Sequence, residues 1–205
     1  MNDIPDLYVS LAADIPDEVA SDLVEEAKGC GFHAVLERRE PEFFAVMEWL
    51  IPSAVMLFLG RKFIDTFAEE AAKDIYPIVK AALIRVIRRT SGPGRVVKSS
   101  YISSAPYKVP PGPVTALTVL IVGSGGFQVR FRFPADLPES DHTIALEGLL
   151  AIARQIQSIP FEAPTGDSPR PPTIVLTFDS AAAAWKPVDS SADAGTTDEH
   201  LQQHE

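Results

Sequence analysis

Residues 43–59 read FFAVMEWLIPSAVMLFL and are almost wholly apolar, with one charged residue, Glu48, and one proline, Pro52. A helix of this length would span about 26 Å, which is short of the roughly 30 Å hydrocarbon core of a membrane. We therefore expect the segment to be a buried helix of the protein core. Membrane-surface association through residues 43–59 is an alternative, because the cations Arg61 and Lys62 follow at once and could meet anionic lipid.

A helical pattern follows this stretch. Apolar residues recur at every third or fourth position over residues 64–86, which is one face of a 3.6-residue helix held for about six turns. Pro77 lies inside the pattern, so we expect a kink there, or two helices that meet near residues 74–77. Phe67 and Leu83 fall on the inward face, and we expect both in the core.

The segments on either side of the central helix predict a sheet. Period-two alternation and short apolar runs bounded by turn residues are typical of strands. They occur at residues 6–13, 32–38, 96–102, 116–122, 127–133, 173–178 and 184–188. Shorter helices are predicted over residues 16–29 and 140–157. The predicted fold class is α+β, a mixed sheet of about five to seven strands with one long kinked central helix and shorter helices packed on it.

Composition indicates one domain with a tail. The chain has 205 residues, 46% of them hydrophobic, which fits a single α+β domain over residues 1–188. Residues 189–205 have no apolar periodicity, and we expect a disordered acidic tail there. The single cysteine, Cys30, excludes an intrachain disulfide and favours a reducing compartment. No basic and apolar leader opens the sequence, so we expect a cytoplasmic protein.

Charge is segregated along the chain. The formal net charge is −10, yet residues 75–135 contain nine Lys and Arg residues and no Asp or Glu. Both flanks are acidic, so the basic third either neutralises them in the folded protein or forms a positive surface for an anionic partner. The candidate binding residues are cations at the end of the long helix and cations that alternate outward on strand 127–133, namely Arg85, Arg88, Arg89, Arg130 and Arg132.

The partner is expected to be another protein with an acidic surface. The overall negative charge opposes nucleic acid. The phenylalanines of strand 127–133 alternate with the arginines and so face away from them, whereas an RNA-stacking surface needs both on one side. We therefore predict a protein partner rather than nucleic acid.

No catalytic, metal or cofactor motif has a diagnostic spacing. The glycines of residues 123–126 precede a strand rather than a helix, which is typical of a hairpin turn. His200 and His204 are four residues apart, but no fixed carboxylate or cysteine accompanies them. His142 lies among acids at a helix start, without a second catalytic segment. We predict a non-enzymatic protein-interaction or accessory module without metal or cofactor; a small enzyme whose site assembles only in space is the alternative.

Overall fold

The computed structural model describes residues 4–39, 53–66, 74–97, 115–123, 127–158 and 173–188. The elements of the first half are β1 Leu7–Ala12, α1 Ser21–Gly29, β2 Ala34–Arg39, β3 Val55–Leu59, α2 Arg61–Thr66 and α3 Ile75–Thr90. Those of the second half are β4 Thr115–Val122, β5 Gln128–Pro134, α4 His142–Ser158, β6 Thr173–Asp179 and β7 Ala184–Pro187. The segment 189–205, which the sequence predicts to be disordered, lies outside the described residues.

The described strands form one mixed sheet in the order β2-β1-β3-β4-β5-β6-β7. The pairs β1–β2, β3–β4 and β5–β6 are parallel, and the pairs between and beyond them are antiparallel. A helical connection joins the two strands of each parallel pair. It contains α1 between β1 and β2, α2 and α3 between β3 and β4, and α4 between β5 and β6. The described part of the chain thus contains three strand–helix–strand units and a closing strand, and the predicted α+β class with a mixed sheet is confirmed.

The core lies between the helices and one face of the sheet. Leu7, Val9 and Leu11 of β1 are fully buried there, and the register continues this layer across the sheet through alternate residues of β3, β4 and β5. Buried residues of α1, α3 and α4 belong to the same apolar cluster. The four described α-helices therefore cover a single face, and the opposite face carries the other half of every strand.

The interpretation of residues 43–59 as a buried helix is wrong for the last part of the segment. Val55–Leu59 is strand β3, paired on both sides near the middle of the sheet. Val55, Leu57 and Leu59 are buried as expected. The intervening Met56 and Phe58 are also apolar, so no alternation revealed the strand. Residues 43–52 lie outside the described residues.

The long helical pattern forms two helices, α2 and α3, in the part of the chain that the structure describes. Pro77 lies in the first turn of α3, where its missing N–H breaks no helical hydrogen bond. Leu83 is buried as predicted, whereas Phe67 belongs to residues 67–73, which are not described. Of the strand predicted at 96–102, the described residues 96 and 97 are not in a strand.

Trp185 fastens β7 to the helix layer. Its indole lies edge-on to Phe131 and Phe133, with ring centroids 5.0 Å apart in both pairs, and its Nε1–H donates to the Ala145 carbonyl at 2.9 Å. Gly148 permits this approach, since a Cβ there would lie 3.2 Å from the indole. The aromatic side chains of β5 are therefore buried in the core, on the side of the sheet away from the arginines of that strand.

Candidate anion-binding face

The second face of the sheet carries Arg130 and Arg132, and we call it the arginine face. The ladders align its side chains in rows that cross the strands. The first row contains Val35, Tyr8, Phe58, Leu120, Arg130 and Val175, all half-buried. The second row contains Glu37, Ser10, Met56, Thr118, Arg132, Thr177 and Lys186. The first row is apolar except for Arg130 and the Tyr8 hydroxyl, and the second is mostly polar.

Arg130 is a half-buried cation whose charge is not compensated within the described residues. It lies between Leu120 of β4 and Val175 of β6. Among the described residues no hydrogen bond or ion pair is found for its guanidinium, and burial alone lowers its pKa below the ordinary value. A guanidinium remains protonated at neutral pH even so. Arg130 is thus a fixed positive charge between two apolar neighbours.

The second row adds two cations, Arg132 and Lys186, and the charge of Lys186 is neutralised. Arg132 follows Arg130 by two residues on the same face of β5, and it has an interaction partner of its own. Lys186 forms an ion pair with Asp179 at 2.5 Å. At the far end of the row Glu37 accepts a hydrogen bond from the Tyr8 hydroxyl. The positive charge of the arginine face therefore lies at β5, because Asp179 of β6 neutralises Lys186 and Glu37 lies at the opposite edge of the sheet.

The three candidate arginines of α3 bind acids of the fold on the helix side. Arg89 contacts Asp22 at 2.8 Å, and Arg85 forms ion pairs with Asp22 and Glu26 of α1. The hydrogen bond from Arg89 holds the pKa of Asp22 below its usual value. These cations hold α3 against α1, which matches internal neutralisation between the basic and acidic thirds.

Arg88, the third arginine of α3, pairs with Glu139 at 2.6 Å, with both side chains more than half exposed. The structure therefore does not bring the five candidate arginines together. Arg130 and Arg132 share the arginine face, and the α3 arginines lie across the sheet from them. Internal neutralisation therefore accounts for the α3 arginines, and binding of an anionic partner stays a prediction for Arg130 and Arg132.

Sequence reasoning missed the aromatic members of the arginine face. Phe58 and Tyr8 are neighbours in the first row, and they lie one and two strands away from Leu120, respectively. Alternation in β1 indicates that Tyr8 faces away from the core. Nothing in the sequence shows that β1 and β3 lie beside β4 and β5, so the row follows only from the sheet order.

His142 is a buried residue at the start of α4, and its imidazole is held inside the fold. Its Nε2 lies 3.3 Å from the Leu137 carbonyl, and Nδ1 is buried without a partner among the described residues. Burial lowers the pKa of His142, so the ring is neutral at pH 7. Glu139, its acidic neighbour, pairs with Arg88 instead. The arrangement holds the helix start and offers no proton-transfer partner among these groups.

An open cavity of about 600 Å³ lies at the end of β5, β6 and β7. The charged pair in its lining is internally bonded, since the Asp179 carboxylate accepts from the Ala181 and Ala182 N–H groups and pairs with Lys186. No three His, Cys, Asp or Glu side chains of the described ranges are placed to hold a metal. No described helix is long and apolar enough to cross a membrane.

The other residues that the sequence offered as possible ligand or metal sites lie in a turn or outside the described residues. The Gly123 N–H donates to the Phe127 carbonyl at 2.9 Å, which closes the hairpin between β4 and β5. Glycines 125 and 126, with His200 and His204, lie outside the described residues.

Comparison with known protein families, with curated proteins and with solved structures finds no match for this chain.

Proposed function

We propose that this protein is a cytoplasmic, non-enzymatic interaction module that binds an acidic segment of another protein on its arginine face. The observation that carries the proposal is the uncompensated positive charge of Arg130. Partial burial of a cation without an ion pair costs free energy. A carboxylate from a partner would recover that cost and would form a charge-assisted hydrogen bond with the guanidinium.

The spacing of the two β5 arginines supports an extended partner. Residues two apart on a strand lie roughly 6.6 Å apart on one face, which is also the repeat of alternate side chains in an extended peptide. Arg130 and Arg132 therefore suit two carboxylates separated by one residue. Arg130 would be the main anchor, because its guanidinium has no other described partner.

The apolar members of the first row support a protein partner with mixed chemistry. Phe58 and Leu120 lie beside Arg130 in register and remain half-buried rather than fully buried. An apolar residue next to the acidic pair could pack on them and exclude water from the ion pair. We therefore propose a segment in which Asp or Glu residues alternate with, or adjoin, aliphatic or aromatic residues.

A defined probe tests this proposal. A labelled peptide with a Glu-x-Asp centre and one flanking Leu is titrated by fluorescence anisotropy at low salt, about 20 mM. Wild type should bind it, and Arg130→Gln should weaken binding roughly ten- to hundredfold, since a hydrogen bond to a charged group contributes about 1.5–3 kcal/mol. Arg88→Gln removes the same charge from the helix side and should leave binding unchanged.

Two further probes separate the partner classes. The Gln-x-Asn version of the peptide should not bind, because it has no charge. Oligo-uridylate tests the rival class, since Tyr8 and Phe58 share a row with Arg130 and aromatic rings on a sheet can stack bases. Tighter binding of the oligonucleotide than of the acidic peptide, lost in Arg130→Gln, would contradict a protein partner. Equal binding by wild type and Arg130→Gln would contradict the site.

A further inference from the structure

We infer that the acidic segment 189–205 of this chain docks on the arginine face at Arg130 and competes with the acidic partner. The inference rests on the proposed function, because it concerns the regulation of the same site. The segment that would occupy the arginine face belongs to the same chain, so its competition with the partner would be intramolecular.

The first observation is where the segment begins. The Val188 N–H donates to the Val175 carbonyl at 2.9 Å, and Val175 is the register partner of Arg130. The chain therefore leaves the sheet two strand spacings from Arg130, which is roughly 10 Å. Among the seven strands of the sheet, β7 is the edge strand closest to β5.

The second observation is charge complementarity. The segment 189–205 contains five acids and no Lys or Arg. The acids are Asp189, Asp193, Asp198, Glu199 and Glu205. Arg130 is the nearest cation without a described partner, since Lys186 of β7 is paired with Asp179. An acidic segment thus starts beside a cation that lacks a counter-charge.

The third observation is that the chain length matches the distance. Asp193 follows Val188 by five residues, and a flexible chain of five residues has an end-to-end distance of roughly 12 Å. This is close to the roughly 10 Å that separates Val188 from Arg130. Effective concentration is greatest when the tether length matches the span, and it reaches the millimolar range for short tethers.

The consequence is a weakened affinity for any acidic partner in solution. A segment present at an effective millimolar concentration and bound with a dissociation constant of roughly 0.1–1 mM would raise the partner's apparent dissociation constant about two- to tenfold. Salt should reduce this factor, because the contact is between charges near the surface. A partner richer in acids or apolar residues would displace the segment.

The experiment supplies the segment in trans. A labelled peptide with the sequence of residues 189–205 is titrated against full-length wild type and against a full-length neutral-segment variant. That variant carries Asp189→Asn, Asp193→Asn, Asp198→Asn, Glu199→Gln and Glu205→Gln. At about 20 mM salt the neutral-segment variant should bind the peptide two- to tenfold more tightly than wild type. Adding Arg130→Gln to it should abolish the gain, and adding Arg88→Gln should not.

The outcomes separate this inference from the proposed function. Equal affinity of wild type and the neutral-segment variant, with both affinities lost in Arg130→Gln, would overturn the inference and leave the proposed site standing. No binding to either protein, together with no binding of the Glu-x-Asp probe, would overturn both. A gain that survives Arg130→Gln would place the segment elsewhere and would also overturn the inference.

Discussion

Replacement of Arg130 by methionine should stabilise the protein while it removes the proposed binding function. Arg130 is half-buried between Leu120 and Val175 without a described counter-charge. Burial of a polar group without a partner costs about 1–3 kcal/mol, and partial exposure reduces this to about 0.5–1.5 kcal/mol. Methionine keeps the unbranched apolar stem of the side chain without the charged guanidinium and adds apolar contact of about half a kcal/mol. The expected gain in the free energy of unfolding is about 1–2 kcal/mol.

Urea denaturation followed by fluorescence of the two tryptophans measures this change. The midpoint should rise and the slope should stay constant, because the surface exposed on unfolding is unchanged. For a chain of this size the melting temperature should rise by roughly 2–8 °C. Arg88→Met is the matched control, since its exposed ion pair with Glu139 contributes little. A loss of 1 kcal/mol or more in Arg130→Met would refute the reasoning, because it would mean that the guanidinium holds a structural partner.

Four further outcomes follow from the contacts described above. Leu83→Ala should lower the free energy of unfolding in urea by about 2–5 kcal/mol, because Leu83 is buried in the core. Gly92→Ala should lower it by about 1–3 kcal/mol, since Gly92 has φ +87° and a Cβ there would lie 3.1 Å from the Leu137 carbonyl. Asp22→Asn should cost about 0.5–1.5 kcal/mol, an effect that 0.5 M salt reduces, because Asp22 pairs with two cations of α3. The free energy of unfolding should fall between pH 7 and pH 5, because burial lowers the pKa of His142 in the folded protein. The unfolded chain therefore binds the proton first, below about pH 6.5. In His142→Gln this contribution to the pH dependence should be missing.

The sheet could be predicted wherever one face of a strand is polar. In β5 the sequence QVRFRF alternates, and the structure buries Val129, Phe131 and Phe133 while the two arginines face the other way. In β3 both faces carry apolar residues, so periodicity could not separate a strand from a buried helix. The order of the strands in the sheet could not be predicted from the sequence either, because it depends on contacts between segments that are distant in the chain.

The candidate site was predictable only in part. The absence of acids from residues 75–135 indicates that these cations face something negative. Arg89 meets Asp22 across 67 positions in the chain, and no local pattern encodes that contact. The sequence therefore could not separate the helix arginines, which hold α3 to α1, from Arg130, which has no described counter-charge.

The most direct test of the central claim is a map of amide chemical-shift changes in ¹⁵N-labelled wild type during titration with the Glu-x-Asp peptide at low salt. The largest changes should fall on the three strands that surround Arg130, at residues 119–121, 129–131 and 174–176. They should extend to Phe58 in the same row. Changes confined to the end of α3, around Arg85 and Arg89, would contradict the account, because the partner would then bind on the helix side of the sheet.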